Sequence, residues 1–413
     1  MSSRPLTKAD AELMEKLRKL RGGSPSPPPR PSTPFSDIPA QLKSEIIISS
    51  SFLNSCLNAG NLQSIVFSPA IISASLIMAL YGADKEAIKE INDVFGQNLL
   101  CDNTSYESLI YFKSLIYSKK LSLLPPFTDY CNKNDSHLFP VDFDNLGQTI
   151  KEINSKVSEK TMGLIANILN DSQNIIIQDT SLCVASAATF VGQWAFSYPF
   201  DKPKSIMFYS NPPRQIDMIR QKEKELWMFS EGDDWTCMSI IYGEDIPRKL
   251  YIILPKKVDG LANLIKKFDY SLIRQCINGT NVLSAATIPL FQIKSTMVLN
   301  DKLKDMGIKH LFSENAFDKI ISNDNPHGLD LFVHAARIKV DQFGADGRDD
   351  TADHLRYEDL RIQPGYLIPP PGCEEIEFVV DRPFIFFVAL WKVFEGQDSK
   401  PRLHSIQFTG IFS

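Results

Sequence analysis

Two strands of core quality flank one long segment that cannot pack, and this arrangement constrains the chain more than any other feature. Val333-His334-Ala335-Ala336-Arg337-Ile338-Lys339-Val340 alternates apolar and β-branched residues and reads as a strand. It breaks at Asp341-Gln342-Phe343-Gly344. A charged stretch without periodicity follows from Ala345 to about Tyr366, then Pro369-Pro370-Pro371-Gly372. A second strand reads from Phe378 to Val388. Compact domains seldom keep a loop much longer than about 12–15 residues unless it is functional or disordered. An exposed loop over about residues 344–377 is therefore expected, and the function is expected to reside there.

The 413 residues are 43% hydrophobic and 23% charged, enough for a sizeable core. A net charge of −5 lacks the basic excess of a nucleic-acid binder. No apolar run reaches the roughly 18–20 residues that span a bilayer, so no membrane partner is expected. Met1-Ser2-Ser3-Arg4-Pro5-Leu6-Thr7 has no apolar secretory core. This predicts a cytoplasmic monomer, with export by an unconventional route as the alternative. Seven scattered cysteines (Cys56, Cys101, Cys131, Cys183, Cys237, Cys276 and Cys373) form no Cys-x-x-Cys pair and read as free thiols.

Residues 1–40 form a separate, Pro-rich extension, expected to be disordered apart from a possible short helix with Leu13, Leu17 and Leu20 on one face. That helix, or the long loop, could hold a protein partner. From residue 41 to 413 the pattern is globular. Helices are predicted over Gln41–Leu57, Pro69–Tyr81, Lys85–Phe95 and Asn145–Ser158. Ser181–Phe190 is almost wholly apolar, as a strand buried on both faces would be. Further strands are predicted over Trp235–Tyr242, Leu250–Leu254, Val282–Ile288, Ile293–Leu299 and Leu403–Phe412. Helices early and strands late argue an α+β class.

Motifs of enzymes are missing: no Gly-x-Ser-x-Gly, no phosphate-binding glycine loop, no His-Glu-x-x-His. The six histidines have no metal-site spacing, and the acidic cluster Asp346, Asp349, Asp350 and Asp353 lacks the pattern of a calcium loop. No catalysis, metal or cofactor is expected.

The loop and the strand after it resemble the serpin family, in which a hinge glycine opens a reactive loop. The chain then returns through a Phe-x-x-Asp-basic-Pro-Phe signature, here Phe378, Asp381, Arg382, Pro383 and Phe384. Further similar segments are Ile65-Val66-Phe67-Ser68-Pro69, Lys160-Thr161-Met162-Gly163-Leu164-Ile165, Phe190-Val191-Gly192-Gln193-Trp194 and Leu303-Lys304-Asp305-Met306-Gly307-Ile308. The resemblance implies a serpin fold, with N-terminal helices, a large central mixed sheet and smaller sheets. It also implies a suicide inhibitor of serine (or cysteine) peptidases. In such inhibitors the cleaved loop enters the sheet as a new strand.

An inserting strand buries alternate side chains, so its hinge must be small and uncharged. The matching residues are Gln342, Phe343, Gly344, Ala345, Gly347, Asp349 and Thr351. Gly344, Ala345, Gly347 and Thr351 suit that demand, whereas Asp349 points inward by alternation and opposes insertion. The chain thus reads as weakly or non-inhibitory. A non-inhibitory binding protein whose loop does not insert efficiently is the alternative. Arg356 and Arg361 are candidate scissile residues for a trypsin-like enzyme. The family's sheet-opening cluster maps onto Ser68, Ser186 and His334, with Ser186 in place of an asparagine and Ile71 in place of a serine. Trp194 is expected to pack at the top of the sheet in a structural role.

Overall fold

The computed structural model describes residues 38–58, 62–96, 99, 109–169, 180–194, 201–221, 224–242, 248–317, 319–321, 327–342, 344–345, 372–393 and 401–413. The N-terminal extension to residue 37 lies outside them, as do Phe343, Gly347, Asp349, Thr351, Arg356 and Arg361.

Helices α1 (Ala40–Asn58), α2 (Pro69–Tyr81) and α3 (Lys85–Phe95) come first, with strand β1 (Ile65–Phe67) between α1 and α2. The ends of α2 and α3 are written locally. Ser68 caps α2 by accepting from the Ile71 N–H, and Pro69 occupies the first turn, where its missing donor costs nothing. Asp84 caps α3 through the Ala87 N–H. Residues 69–80 of α2 are all buried, so this helix lies inside the molecule rather than on it. In α3, Ala87, Ile91 and Phe95 recur every fourth residue and bury a single stripe.

A mixed sheet has the order β13 (Phe291–Val298), β14 (Leu331–Val340), β4 (Leu182–Phe190), β2 (Leu109–Ser118) and β3 (His137–Val141). Here β14 and β4 run parallel, as do β2 and β3. A seven-stranded antiparallel sheet has the order β1, β17 (Pro401–Phe412), β16 (Phe384–Val393), β10 (Arg248–Pro255), β9 (Trp235–Tyr242), β8 (Glu225–Glu231) and β11 (Thr280–Ser284). A third sheet joins β12 (Thr287–Pro289), β7 (Arg214–Arg220) and β6 (Lys204–Phe208), and a two-residue pair joins β15 (Gly344–Ala345) to β5 (Gly192–Gln193). Helices α4 (Pro125–Lys133), α5 (Leu146–Lys160), α6 (Leu261–Lys266), α7 (Tyr270–Ile277) and α8 (Asn300–Asp305) complete the described set.

Both faces of the mixed sheet are covered. Ile153 and Val157 of α5 pack on Ala185, Ala187, Val333 and Ala335. On the other face Ala188, Phe190, Ala336 and Ile338 meet Phe384, Phe386 and Phe408 of the antiparallel sheet. All nine residues of β4 are buried, as its apolar run predicts for a central strand.

Two predicted strands are differently cut. Val282–Ile288 splits into β11 and β12, which belong to different sheets. Phe378–Val388 begins as a strand only at Phe384. Pro383 lacks the donor a ladder needs, and Arg382 bonds the carboxylate of Asp381 beside it. Residues 378–380 run instead alongside β12.

Candidate functional site

The long loop leaves from the end of β14 and returns at the start of β16. At the departure, Asp341 and Gly344 close a tight turn: the Asp341 N–H donates to the Gly344 carbonyl at 2.8 Å and the reverse bond is 3.3 Å. Gly344 is buried at φ +137°, a conformation L side chains rarely adopt. The sequence marks a break here, and the structure makes it a reversal. Gly344 pairs with Gln193 and Ala345 with Gly192, antiparallel to β5. The loop's first residues thus turn back toward the boundary between β4 and β14.

Trp194 secures the turn. Its Nε1–H donates to the Asp341 carbonyl at 2.9 Å. Its ring stacks on Tyr242 of β9 at 4.4 Å and 14°. It is a core residue, 9% exposed, that holds a loop carbonyl as well. The Lys339 ammonium lies 3.5 Å from the Asp341 carboxylate. Gln342 is half-buried within the turn.

Below the turn, Ser68, Ser186 and His334 meet. His334 stands opposite Ser186 in the parallel ladder, so their side chains share a face. The Ser68 N–H donates to His334 Nε2 at 3.0 Å. That makes Nε2 an acceptor and puts the ring proton on Nδ1, which lies 2.9 Å from Ser186 Oγ. Ser68 Oγ donates to the Gln407 carbonyl of β17 at 2.6 Å. The cluster therefore ties α2, β4, β14 and β17 together, and the His334–Ser186 bond crosses the β4–β14 boundary. His334 is fully buried, and desolvation pulls its pKa down to about 3. Ile71, where the family pattern has a serine, is buried and apolar. Lys113 of β2 is the next residue in the same row, opposite Ser186. Its Nζ donates to the Asn134 carbonyl at 3.0 Å, and burial lowers its pKa to about 8. Reading the sequence missed Lys113, Gln407 and Tyr242, because their roles come from register and no local pattern encodes them.

The returning end is held differently. Gly372 turns at φ +79°. Backbone bonds then zip residues 374–380 onto β11 and β12. Leu283 N–H bonds Glu374 O at 2.8 Å and Ile376 N–H bonds Leu283 O at 3.0 Å. Thr287 N–H bonds Phe378 O at 2.9 Å and Val380 N–H bonds Thr287 O at 2.9 Å. Lys224 pairs with Glu375 and Arg220 with Glu377. Phe378 is 3% exposed and meets Phe229 edge to face. Phe384 is fully buried against Phe412 at 5.5 Å and Phe291 at 6.0 Å. Arg382 bonds the Lys256 carbonyl at 2.7 Å, and half-buried Pro383 leads into β16. Among the described residues no group of three or more His, Cys, Asp or Glu side chains is placed to hold a metal.

Comparison with known proteins agrees with this geometry. The family model for serpin (serine protease inhibitor) matches residues 48–393. Serpin B5 of Rattus norvegicus is 26% identical over 373 residues, covering 83% of this chain and 94% of its own. A leukocyte elastase inhibitor of Xenopus tropicalis is 25% identical over 349 residues, covering 78% of this chain and 88% of its own. The crystal structure of native protease nexin-1 with heparin superposes with a TM-score of 0.73 at 19% identity, over 92% of this chain and 99% of that one. The mixed sheet, the loop between β14 and β16 and the return signature all fall within a match that spans most of the chain: it belongs to the serpin family.

Proposed function

We propose that this serpin is an inhibitor of serine (or cysteine) peptidases that presents the loop between β14 and β16 as bait. The observation that supports this most directly is the pairing at the top of the mixed sheet. β4 and β14 are parallel neighbours over seven registered pairs, from Cys183–Leu331 to Thr189–Arg337. A strand entering between them from β15 would run antiparallel to both. One parallel ladder would give way to two antiparallel ones, which are slightly more stable per residue. Gly344 and Ala345 are already aligned in that direction.

Two costs oppose entry. The His334–Ser186 bond crosses the path and must break. Alternation from Ala345 also brings Asp349 to an inward position, where an unpaired carboxylate costs several kcal/mol or must take a proton. An inhibitor must insert before the acylated peptidase deacylates, so Asp349 favours cleavage without trapping. The second reading, a non-inhibitory binding protein, draws its support from this residue.

The experiment is thermal unfolding before and after cleavage of the loop by a trypsin-like peptidase, with Arg356 and Arg361 as the expected cut sites. Insertion raises the melting temperature of the cleaved chain by at least several degrees, and Asp349→Thr enlarges the rise. Unchanged melting in both forms would sink the inhibitor reading and leave the loop as a surface for a protein partner.

A further inference from the structure

The fold lays one tyrosine flat on another at the surface. Tyr81 is the last residue of α2, and Tyr130 lies on α4. Their rings stack with centroids 3.8 Å apart and 9° between the planes. The packing beneath sets this contact. Gly82, next to Tyr81, sits where a Cβ would stand 3.2 Å from the Phe127 ring of α4. Phe127 is fully buried, and Tyr130 follows it by three residues on the same side of the helix. Tyr81 is 42% exposed and Tyr130 is half-buried, so the stack can be reached from solvent. Tyr242 and Tyr251 also stack, but on Trp194 and Phe387, and both are buried.

The two helices belong to different parts of the molecule. α2 is moored to β17 at its cap, where Ser68 Oγ donates to the Gln407 carbonyl. α4 runs through Asn134, Asp135 and Ser136 into β3, the outer strand of the mixed sheet. The Asn134 carbonyl in turn accepts from Lys113 Nζ of β2. A covalent bond between the rings would therefore fasten the outer edge of the mixed sheet to a helix moored on the antiparallel one.

We infer that Tyr81 and Tyr130 are an oxidative cross-linking site, which a haem peroxidase with hydrogen peroxide converts to dityrosine. Each phenol gives up one electron and one proton to the oxidised haem. The unpaired electron of each phenoxyl radical spreads to the Cε carbons beside its oxygen. Two such rings held face to face have no diffusion to wait for, and a Cε–Cε bond forms between them. The hydrogen on each joined carbon then moves as a proton to the phenolic oxygen of its own ring, and both rings are aromatic again. Two tyrosines are oxidised by two electrons in all, and one peroxide is reduced to two waters. Burial pushes the Tyr130 hydroxyl up to about 12, so this ring enters the reaction as the neutral phenol. The inference does not depend on whether the loop inhibits a peptidase.

The test exposes the full folded chain to horseradish peroxidase and hydrogen peroxide, isolates the monomer and maps its peptides by mass spectrometry. The expected product is a linked peptide pair joining Tyr81 to Tyr130. It should be lighter than the two peptides together by two hydrogens, show dityrosine fluorescence and survive dithiothreitol. A covalent link restricts the unfolded chain as a disulfide does, so the melting temperature should rise by several degrees. Tyr130→Phe keeps a ring to stack but has no phenol to oxidise, and in it both the linked pair and the rise are absent. Recovery of Tyr81 and Tyr130 unlinked in the treated monomer would overturn the inference, as would their coupling only to other tyrosines. A linked chain that melts no higher would overturn the fastening of α2 to the mixed sheet. These outcomes are read on the unsubstituted chain, so they stand even if the variant fails to fold.

Discussion

The loop's two ends are anchored in opposite ways. The departing end is held by a two-residue ladder, a single tight turn and one indole N–H on the Asp341 carbonyl. The returning end has four backbone bonds to β11 and β12, and then buries Phe378 and Phe384. Its ion pairs, Lys224–Glu375 and Arg220–Glu377, are half-exposed or more and add little, typically under about 1 kcal/mol each. Side chains make the real difference: the returning end sets two phenylalanines in the core, whereas the departing end turns on a glycine that has no side chain to anchor it. A hinge that is to move must not be rooted in the core, and a loop that is to be stretched must have one end that does not yield.

The largest effect expected from this contrast is at the returning end. Phe384 is packed between Phe291, Phe386 and Phe412 with no exposed surface. Phe384→Ala removes that ring and leaves a cavity that surrounding β-structure can only partly close. The expected loss is about 3–5 kcal/mol of unfolding free energy, read from urea denaturation. A loss below about 1 kcal/mol would mean the signature residue is not an anchor, and the contrast between the ends would fail.

The second effect is at the lock beneath the hinge. His334 has a folded pKa of about 3 against an ordinary value of 6.5. Below pH 6.5 the unfolded chain takes up a proton that the folded chain refuses. Stability from this group is therefore complete above pH 6.5 and is lost as pH falls toward 3, by up to about 1.4 kcal/mol per pH unit. Between pH 6.5 and 5 that is about 2 kcal/mol from one residue. Urea midpoints at the two pH values should show this difference, and His334→Gln should reduce it. An NMR titration of the His334 ring near its ordinary pKa would contradict the buried, neutral acceptor seen here.

How legible these ends are in the sequence depends on the range of the interaction. α2 and α3 have the predicted limits, because Ser68, Pro69 and Asp84 write their own caps and apolar spacing does the rest. β4 was legible from its almost wholly apolar run, and the break after Val340 from the residues that follow it. The reversal was not legible: Gly344 marks a turn, but its partners Gln193 and Gly192 lie about 150 residues earlier in the chain. For the same reason Phe378–Val388 reads as one strand, since both halves have strand-like residues and only the distant β12 claims the first. The bond from Trp194 to a backbone carbonyl leaves no trace in residue types at all.

The smallest effect separates the two ends most cleanly. Trp194→Phe keeps an aromatic ring to stack on Tyr242 but removes the N–H that holds the Asp341 carbonyl. Asp341 is half-buried, so its carbonyl partly regains water and the net cost is about 0.5–1.5 kcal/mol. That is too little to unfold the molecule and enough to open a turn that rests on two backbone bonds. Hydrogen exchange reads it locally. The amides of Asp341 and Gly344 should exchange about twofold to thirteenfold faster in the variant, following the same free energy. Those of Ile376 and Val380, bonded to Leu283 and Thr287, should keep their rates. If both pairs accelerate together, the hinge and the returning end open as one unit, and the division of labour between them is wrong. If only the hinge responds, Trp194 is the restraint on the turn, and the energy needed to start moving the loop is set there rather than at the core.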